Sequence, residues 1–150
     1  MITIGIDPGK SGGIAIIKEE GIIAKSTPKE ATGMARILRN VQNEAHIDSE
    51  NINIFIENVH AFPTDSRSGA FKFGTNFGLW LGILGAYNLD YERVSPRKWM
   101  SDFAPLPKIK KERKTMLKQI AQDMFPDIKV TYKVSDAILI AVWGVNNGTS

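Results

Sequence analysis

The chain has 150 residues, 43% hydrophobic and 23% charged, with a net charge of +3 and no cysteine. That length fits one domain, residues 1–150, with a full core. The composition excludes disulfides, thiolate nucleophiles and cysteine zinc sites. There is no apolar run of about 18 residues to span a membrane, and no secretory signal pattern at the start, so a cytoplasmic protein is expected.

Residues 2–7 (ITIGID) read as a buried strand that ends on Asp7, followed by a Pro8-Gly9 turn. Gly12 to Lys18 and Ile22 to Lys25 read as two further strands joined at Glu19-Glu20-Gly21. Thr27-Pro28-Lys29-Glu30 has the form of a capping box. Behind it Met34, Ile37, Leu38, Val41 and Ala45 recur at helical spacing. NINIFIE is a fourth strand ending on Glu57, and a loop, NVHAFPTDSRS, leads to a long helix over about 70–87. YERVS is a fifth strand, and Pro96 opens a short helix through Trp99. DFAPLPK is a loop, because its two prolines break a helix. KKERKTMLKQIAQDMF follows as an amphipathic helix with Met116, Leu117, Ile120 and Met124 inward, and SDAILIAVWGV as a buried one. This order predicts an α/β fold, a mixed sheet with helices on its faces.

Charge is unevenly spread. From Arg93 to Lys118 nine basic residues stand against Asp102 and Glu112, a local +7 that leaves −4 for the rest. A basic block on a slightly acidic body points to a polyanion, with a solvated helix face as the plain alternative. In the long helix Ala70, Gly74, Gly78 and Gly82 fall at i+4 spacing, with Gly85 nearby. Four helical glycines cost about 3–4 kcal/mol against alanine. A closely packed backbone would compensate, either the last helix or the same helix of a second subunit.

Sites in α/β sheets form at the carboxyl ends of strands. Asp7 and Glu57 end two strands that meet if they are parallel neighbours, and Asp136 lies in the first turn of the last helix. Asp7 alone could be a turn residue and Asp136 a helix-dipole partner. Glu57 inside an apolar strand is costly unless partnered. Three converging carboxylates without a cation among their motifs point to a divalent metal with hard oxygen ligands, Mg²⁺ or Mn²⁺. His46 and His60 are too far apart in sequence to read as a ligand pair.

The segments GIDPGKSGG, FIENVHAF and KVSDAILIA, in this order and spacing, resemble the RuvC-type Holliday junction resolvases of the RNase H-like nuclease superfamily, in wording most like compact phage-type members. The likeness takes in nearly the whole chain, including the glycine-bearing helix, SPRKWM and KIKKERK. The first motif alone is shared with sugar kinases and actin-like ATPases, which need a second phosphate-binding hairpin and a longer chain. The resemblance implies an RNase H-like fold, a five-stranded mixed β-sheet flanked by helices. It implies a homodimer, paired across Gly74, Gly78 and Gly82, that nicks a four-way DNA junction symmetrically. Asp7, Glu57 and Asp136 would be the catalytic, metal-binding acids, with two Mg²⁺ or Mn²⁺ ions per site. DNA contacts are expected from Lys10, Arg67, Lys72, Arg97, Lys98, Lys108, Lys110, Lys111, Arg113 and Lys114, with His60 and Phe62 either at the junction or packed under their loop. The chain departs from the family at Lys133, where a further Asp or His is usual. Lys133 is expected either to lie by the scissile phosphate as a catalytic cation or, if the helix starts at Ser135, to point into solvent. The alternatives are a nuclease for other branched DNA or structured RNA, and an inactive DNA-binding module of the same fold.

Overall fold

The computed structural model describes residues 1–9, 11–59 and 66–148. Its strands are β1 (Ile2–Asp7), β2 (Gly13–Lys18), β3 (Gly21–Ser26), β4 (Ile52–Glu57) and β5 (Glu92–Val94). Its helices are α1 (Ala31–Asp48), α2 (Arg67–Ala86), α3 (Pro96–Met100), α4 (Lys110–Met124) and α5 (Ser135–Asn147), with a 3-10 turn at Ser101–Phe103. The five strands form one mixed sheet in the order β3-β2-β1-β4-β5. The first three strands pair antiparallel as a meander. Strands β4 and β5 join parallel to β1 and to each other, as the expected α/β architecture requires. No helix among the described residues is long and apolar enough to cross a membrane.

Side chains alternate across the sheet, and two cores result. Ile2, Ile4, Ile6, Ile14, Ile16, Ile54 and Ile56 pack beneath α1 and α2, against Met34, Leu38, Trp80 and Leu84. Ala15, Phe55 and Val94 face the other way, against α5 and the inner faces of α3 and α4. Helix α5 is buried from Ala137 to Trp143, as its all-round apolar sequence predicts. It lies almost directly on β1. A Cβ added at Gly5 would stand 2.2 Å from the Ala137 carbonyl oxygen and 2.4 Å from the Ala141 nitrogen.

Three local expectations are corrected. The capping box does not form: Glu30 occupies the cap position of α1 with no side-chain hydrogen bond. The Thr27 hydroxyl is buried without a partner among the described residues. On α4 Leu117 and Ala121 are buried and Ile120 packs against the same core, whereas Met116 and Met124 are exposed. Among the described residues nothing lies within 4 Å of a Cβ built at Gly74, Gly78, Gly82 or Gly85, so the last helix does not cover that stripe. The real N-caps are Ser66, whose hydroxyl accepts from the Gly69 N–H at 3.0 Å, and Ser95, which accepts from the Lys98 N–H at 3.3 Å.

The contrast between these glycines is testable. Gly5→Ala is expected to lower the free energy of unfolding by about 1–3 kcal/mol, the usual cost of overpacking. Gly85→Ala, with open space around it, should leave stability unchanged or raise it by up to about 1 kcal/mol. Urea unfolding curves measure both, and an unaffected Gly5→Ala protein would contradict the close contact.

Candidate active site

Two carboxylates leave the sheet side by side. Ile6 pairs with Ile56 in the parallel ladder, so Asp7 and Glu57 follow at the same level on adjacent strands. The alternation that turns Gly5 and Phe55 toward α5 turns Asp7 and Glu57 the same way. Asp136, the second residue of α5, comes to the same strand ends because α5 sits close on β1. Room for Asp7 is left by Gly12, where a Cβ would fall 2.1 Å from the Asp7 carbonyl oxygen and 3.0 Å from its carboxyl carbon.

Each carboxylate is part-buried, and each has its own surroundings. The indole N–H of Trp99 donates to Glu57 Oε1 at 2.9 Å. Trp99 is 1% exposed and packs edge-on against Phe103. The Ser135 hydroxyl donates to Asp136 Oδ1 at 3.3 Å. Among the described residues, no donor reaches the Asp7 carboxylate, and no ion pair involves any of the three acids.

The electrostatics follow. Burial raises the Asp7 carboxyl well above the usual carboxylate range, and the charges of Glu57 and Asp136 push it the same way. Burial also raises Glu57, from 4.5 to about 7, helped by Asp136 and opposed by the Trp99 hydrogen bond. Asp136 is raised by burial, against the pull of Lys114 and of the Ser135 hydrogen bond. Lys114 of α4 is felt by all three acids. Folding thus gathers three like charges in a half-dry place, with one lysine in partial compensation. Among the described residues no three such side chains stand close enough together to enclose a metal ion as they are.

The other expected site residues divide. Lys10, His60 and Phe62 lie outside the described residues. Lys133 is not drawn into the cluster: α5 starts at Ser135, Lys133 is exposed in the turn before it, and the cation the acids feel is Lys114. Lys108, Lys110, Lys111 and Lys114 are exposed around the start of α4, Arg97 is exposed on α3, and Arg67 and Lys72 on α2. Lys98 is engaged, paired with Glu92 at 3.0 Å and lying over the Trp143 ring. Arg113 turns part of its guanidinium inward, donating to the Pro107 and Lys108 carbonyls at 3.1 and 2.9 Å. It therefore holds the loop before α4 in place. Trp99 stood in a sequence motif but carried no sign of its bond to Glu57, because the two residues are 42 positions apart.

The sheet order and the helices on both faces define a mixed α/β fold. No family model matches the sequence, and no curated protein matches it. Solved structures do. The chain is similar to the Thermus thermophilus RuvC structure, with a TM-score of 0.60 and 20% identity over 99% of this chain and 98% of that one. It is similar to T. thermophilus RuvC in complex with a Holliday junction substrate, with a TM-score of 0.59 and 18% identity over 99% and 97%. A weaker likeness, with a TM-score of 0.45 and 14% identity over 93% and 77%, is to the yeast mitochondrial Holliday junction resolvase Ydc2.

A pH dependence follows from the raised carboxyls. Without metal, folded Glu57 keeps its proton up to about pH 7, whereas the unfolded chain releases it near 4.5. Between these values the native state binds more protons, so stability falls as pH rises. Asp7 and Asp136, both raised, act in the same direction, and Lys114 opposes them. Calorimetry in a chelator is expected to show Tm rising as pH is lowered from about 8 to about 5. Glu57→Gln should raise Tm at the alkaline end and reduce the slope. An unchanged slope would contradict the burial of Glu57.

Proposed function

We propose that this chain is a structure-specific DNA endonuclease that resolves four-way junctions as a homodimer, by hydrolysing phosphodiesters with Mg²⁺ or Mn²⁺ at Asp7, Glu57 and Asp136. The observation that carries this reading is the gathering of three part-buried carboxylates at one edge of the sheet, with no ion-pairing cation among the described residues. The RuvC-type fold over nearly the full chain supports it.

The donor set fits a hard divalent cation, since it is all oxygen and all carboxylate. The three acids stand apart and repel one another, and a cation among them relieves that repulsion. Held by Asp7, Glu57 and Asp136, such an ion would supply Lewis-acid activation of a water and charge neutralisation at the leaving 3′ oxygen. The chain's own residues hold the frame. Asp7 is fixed at the end of the most deeply paired strand, Trp99 orients Glu57, and Ser135 orients Asp136. Lys114, at the rim of the cluster and in no ion pair among the described residues, is available to a phosphate beside the one being cut. Arg97, Lys108, Lys110 and Lys111 extend that positive rim and neutralise flanking phosphates, which makes binding salt-dependent. The open stripe of Gly74, Gly78 and Gly82, flanked by exposed Phe71 and Leu79, supports a second copy packed across a two-fold axis.

The direct experiment is cleavage of a labelled synthetic four-way junction with Mg²⁺, with duplex and fork as competitors. Asp7→Asn, Glu57→Gln and Asp136→Asn are each expected to abolish cutting while junction binding persists. Substantial nicking by Asp7→Asn would overturn the assignment. Light scattering tests the dimer. Gly78→Leu should give a folded monomer, with paired cuts uncoupled or lost. Wild-type protein that is monomeric both free and on a junction would exclude the stripe as an interface.

A further inference from the structure

The helix that follows the second carboxylate reaches back to the first. Asn76 of α2 accepts, through Oδ1, a hydrogen bond from the backbone N–H of Gly9 at 2.9 Å, across 67 residues of sequence. Gly9 has φ +136°, a conformation that side chains rarely adopt, and a Cβ there would lie 3.3 Å from the Phe73 ring. Phe73 and Asn76 are three residues apart and therefore neighbours on one face of α2. The Gly9 carbonyl in turn accepts from the Gly12 N–H at 3.1 Å. Asp7-Pro8-Gly9 is thus gripped from α2 at its far end and held by the β1–β2 ladder at its near end, where Asp7 pairs with Gly13.

This matters most for Asp7. Glu57 has the Trp99 indole and Asp136 has the Ser135 hydroxyl to orient it. Among the described residues Asp7 has no such donor, so its direction depends on the backbone that carries it. On one side that backbone is a strand. On the other it is a two-residue step to Gly9, whose only side-chain hydrogen bond among the described residues is to Asn76.

We infer that Asn76 is a positioning residue for the reaction: by accepting the Gly9 N–H it fixes the Asp7-Pro8-Gly9 turn and with it the aim of the Asp7 carboxylate. The inference rests on the reading of Asp7 as a metal-binding acid. Loss of a partner that orients a metal ligand typically costs about ten- to a hundred-fold in affinity or rate.

The test compares Asn76→Leu, which removes the acceptor at similar size, with Asn76→Asp, which keeps it. Three quantities are measured: exchange of the Gly9 amide proton by NMR, Mn²⁺ binding to the DNA-free protein by calorimetry, and single-turnover junction cleavage with junction affinity alongside. Asn76→Leu is expected to speed Gly9 exchange at least about ten-fold, to weaken Mn²⁺ binding and slow cleavage by about ten- to a hundred-fold, and to leave junction affinity within about two-fold. Asn76→Asp should protect Gly9 and bind Mn²⁺ at least as tightly as wild type. Should Asn76→Leu fail to fold, Asn76→Ser shortens the side chain without adding apolar surface and carries the same expectations. Wild-type Mn²⁺ affinity in the acceptor-less variant, or an equal loss in Asn76→Asp, overturns the inference. If wild type cuts no junction yet Asn76→Leu still weakens Mn²⁺ binding, the positioning role stands and the proposed function falls. If wild type cuts and Asn76→Leu matches it in rate and Mn²⁺ affinity, the positioning role alone falls.

Discussion

The site exists because α5 lies close on β1 at Gly5, where the strand has no side chain. Gly5 leaves the strand bare at the point where Ala137 and Ala141, one helical turn apart, come down on it. A single methyl at Gly5 would meet the helix backbone, not a flexible side chain, so the helix itself would have to move. Asp136 sits one residue before Ala137 and would move with it. Displacements of about 1 Å at a reacting centre cost on the order of a hundred-fold in rate. The core contact and the geometry of the proposed site are therefore one constraint: the packing that buries α5 sets the position of Asp136 relative to Asp7 and Glu57.

What is gathered there is unfavourable in isolation. Burial raises all three carboxyls, and their charges oppose one another. Lys114 offsets this in part, from an exposed position where solvent weakens its pull. Two apolar cores, one on each face of the sheet, hold the strand ends in place against that repulsion. Strained electrostatics sustained by rigid surroundings are the pattern expected of a binding or catalytic centre and not of a structural ion-pair network. Among the described residues the acids make no ion pair at all.

Much of this was legible in the sequence, for local reasons. Apolar runs that stop at Asp7 and Glu57 are strand ends, and parallel pairing of β1 with β4 needs only the intervening helix as a crossover. The errors have equally physical causes. Thr27 had the right residues around it to cap α1, but its backbone N–H donates to the Gly12 carbonyl at 2.9 Å. The chain there still belongs to the β2–β3 ladder, and that long-range bond overrides the local motif. On α4 the large methionines looked inward by hydrophobicity, yet the buried positions are Leu117 and Ala121, with Ile120 packed beside them. Alanine is too weak a signal to mark such a position. Lys133 was ambiguous until the start of α5 was known, since one turn of helix decides its direction. Trp99 on Glu57 and Asn76 on Gly9 bridge 42 and 67 residues, and no periodicity or spacing encodes contacts of that range.

Helix α2 joins these threads. Its inward face carries Trp80 and Leu84, both fully buried, and one to two turns earlier Phe73 and Asn76 beside the Asp7 turn. Its outward face carries Gly74, Gly78, Gly82 and Gly85, with none of the described residues within 4 Å of a Cβ built there. Those glycines weaken the helix by about 3–4 kcal/mol relative to alanine, and no contact at them among the described residues returns it. The half of α2 anchored in the core can tolerate this. The half over the site is held by the Ser66 cap, the Phe73 ring against Gly9 and the Asn76 amide. Any body that seats on the bare face and favours the helical state stabilises that half by mass action, and Gly9 is bonded to it. By the same linkage, whatever tightens the Asp7 turn favours the ordered helix and the surface it presents.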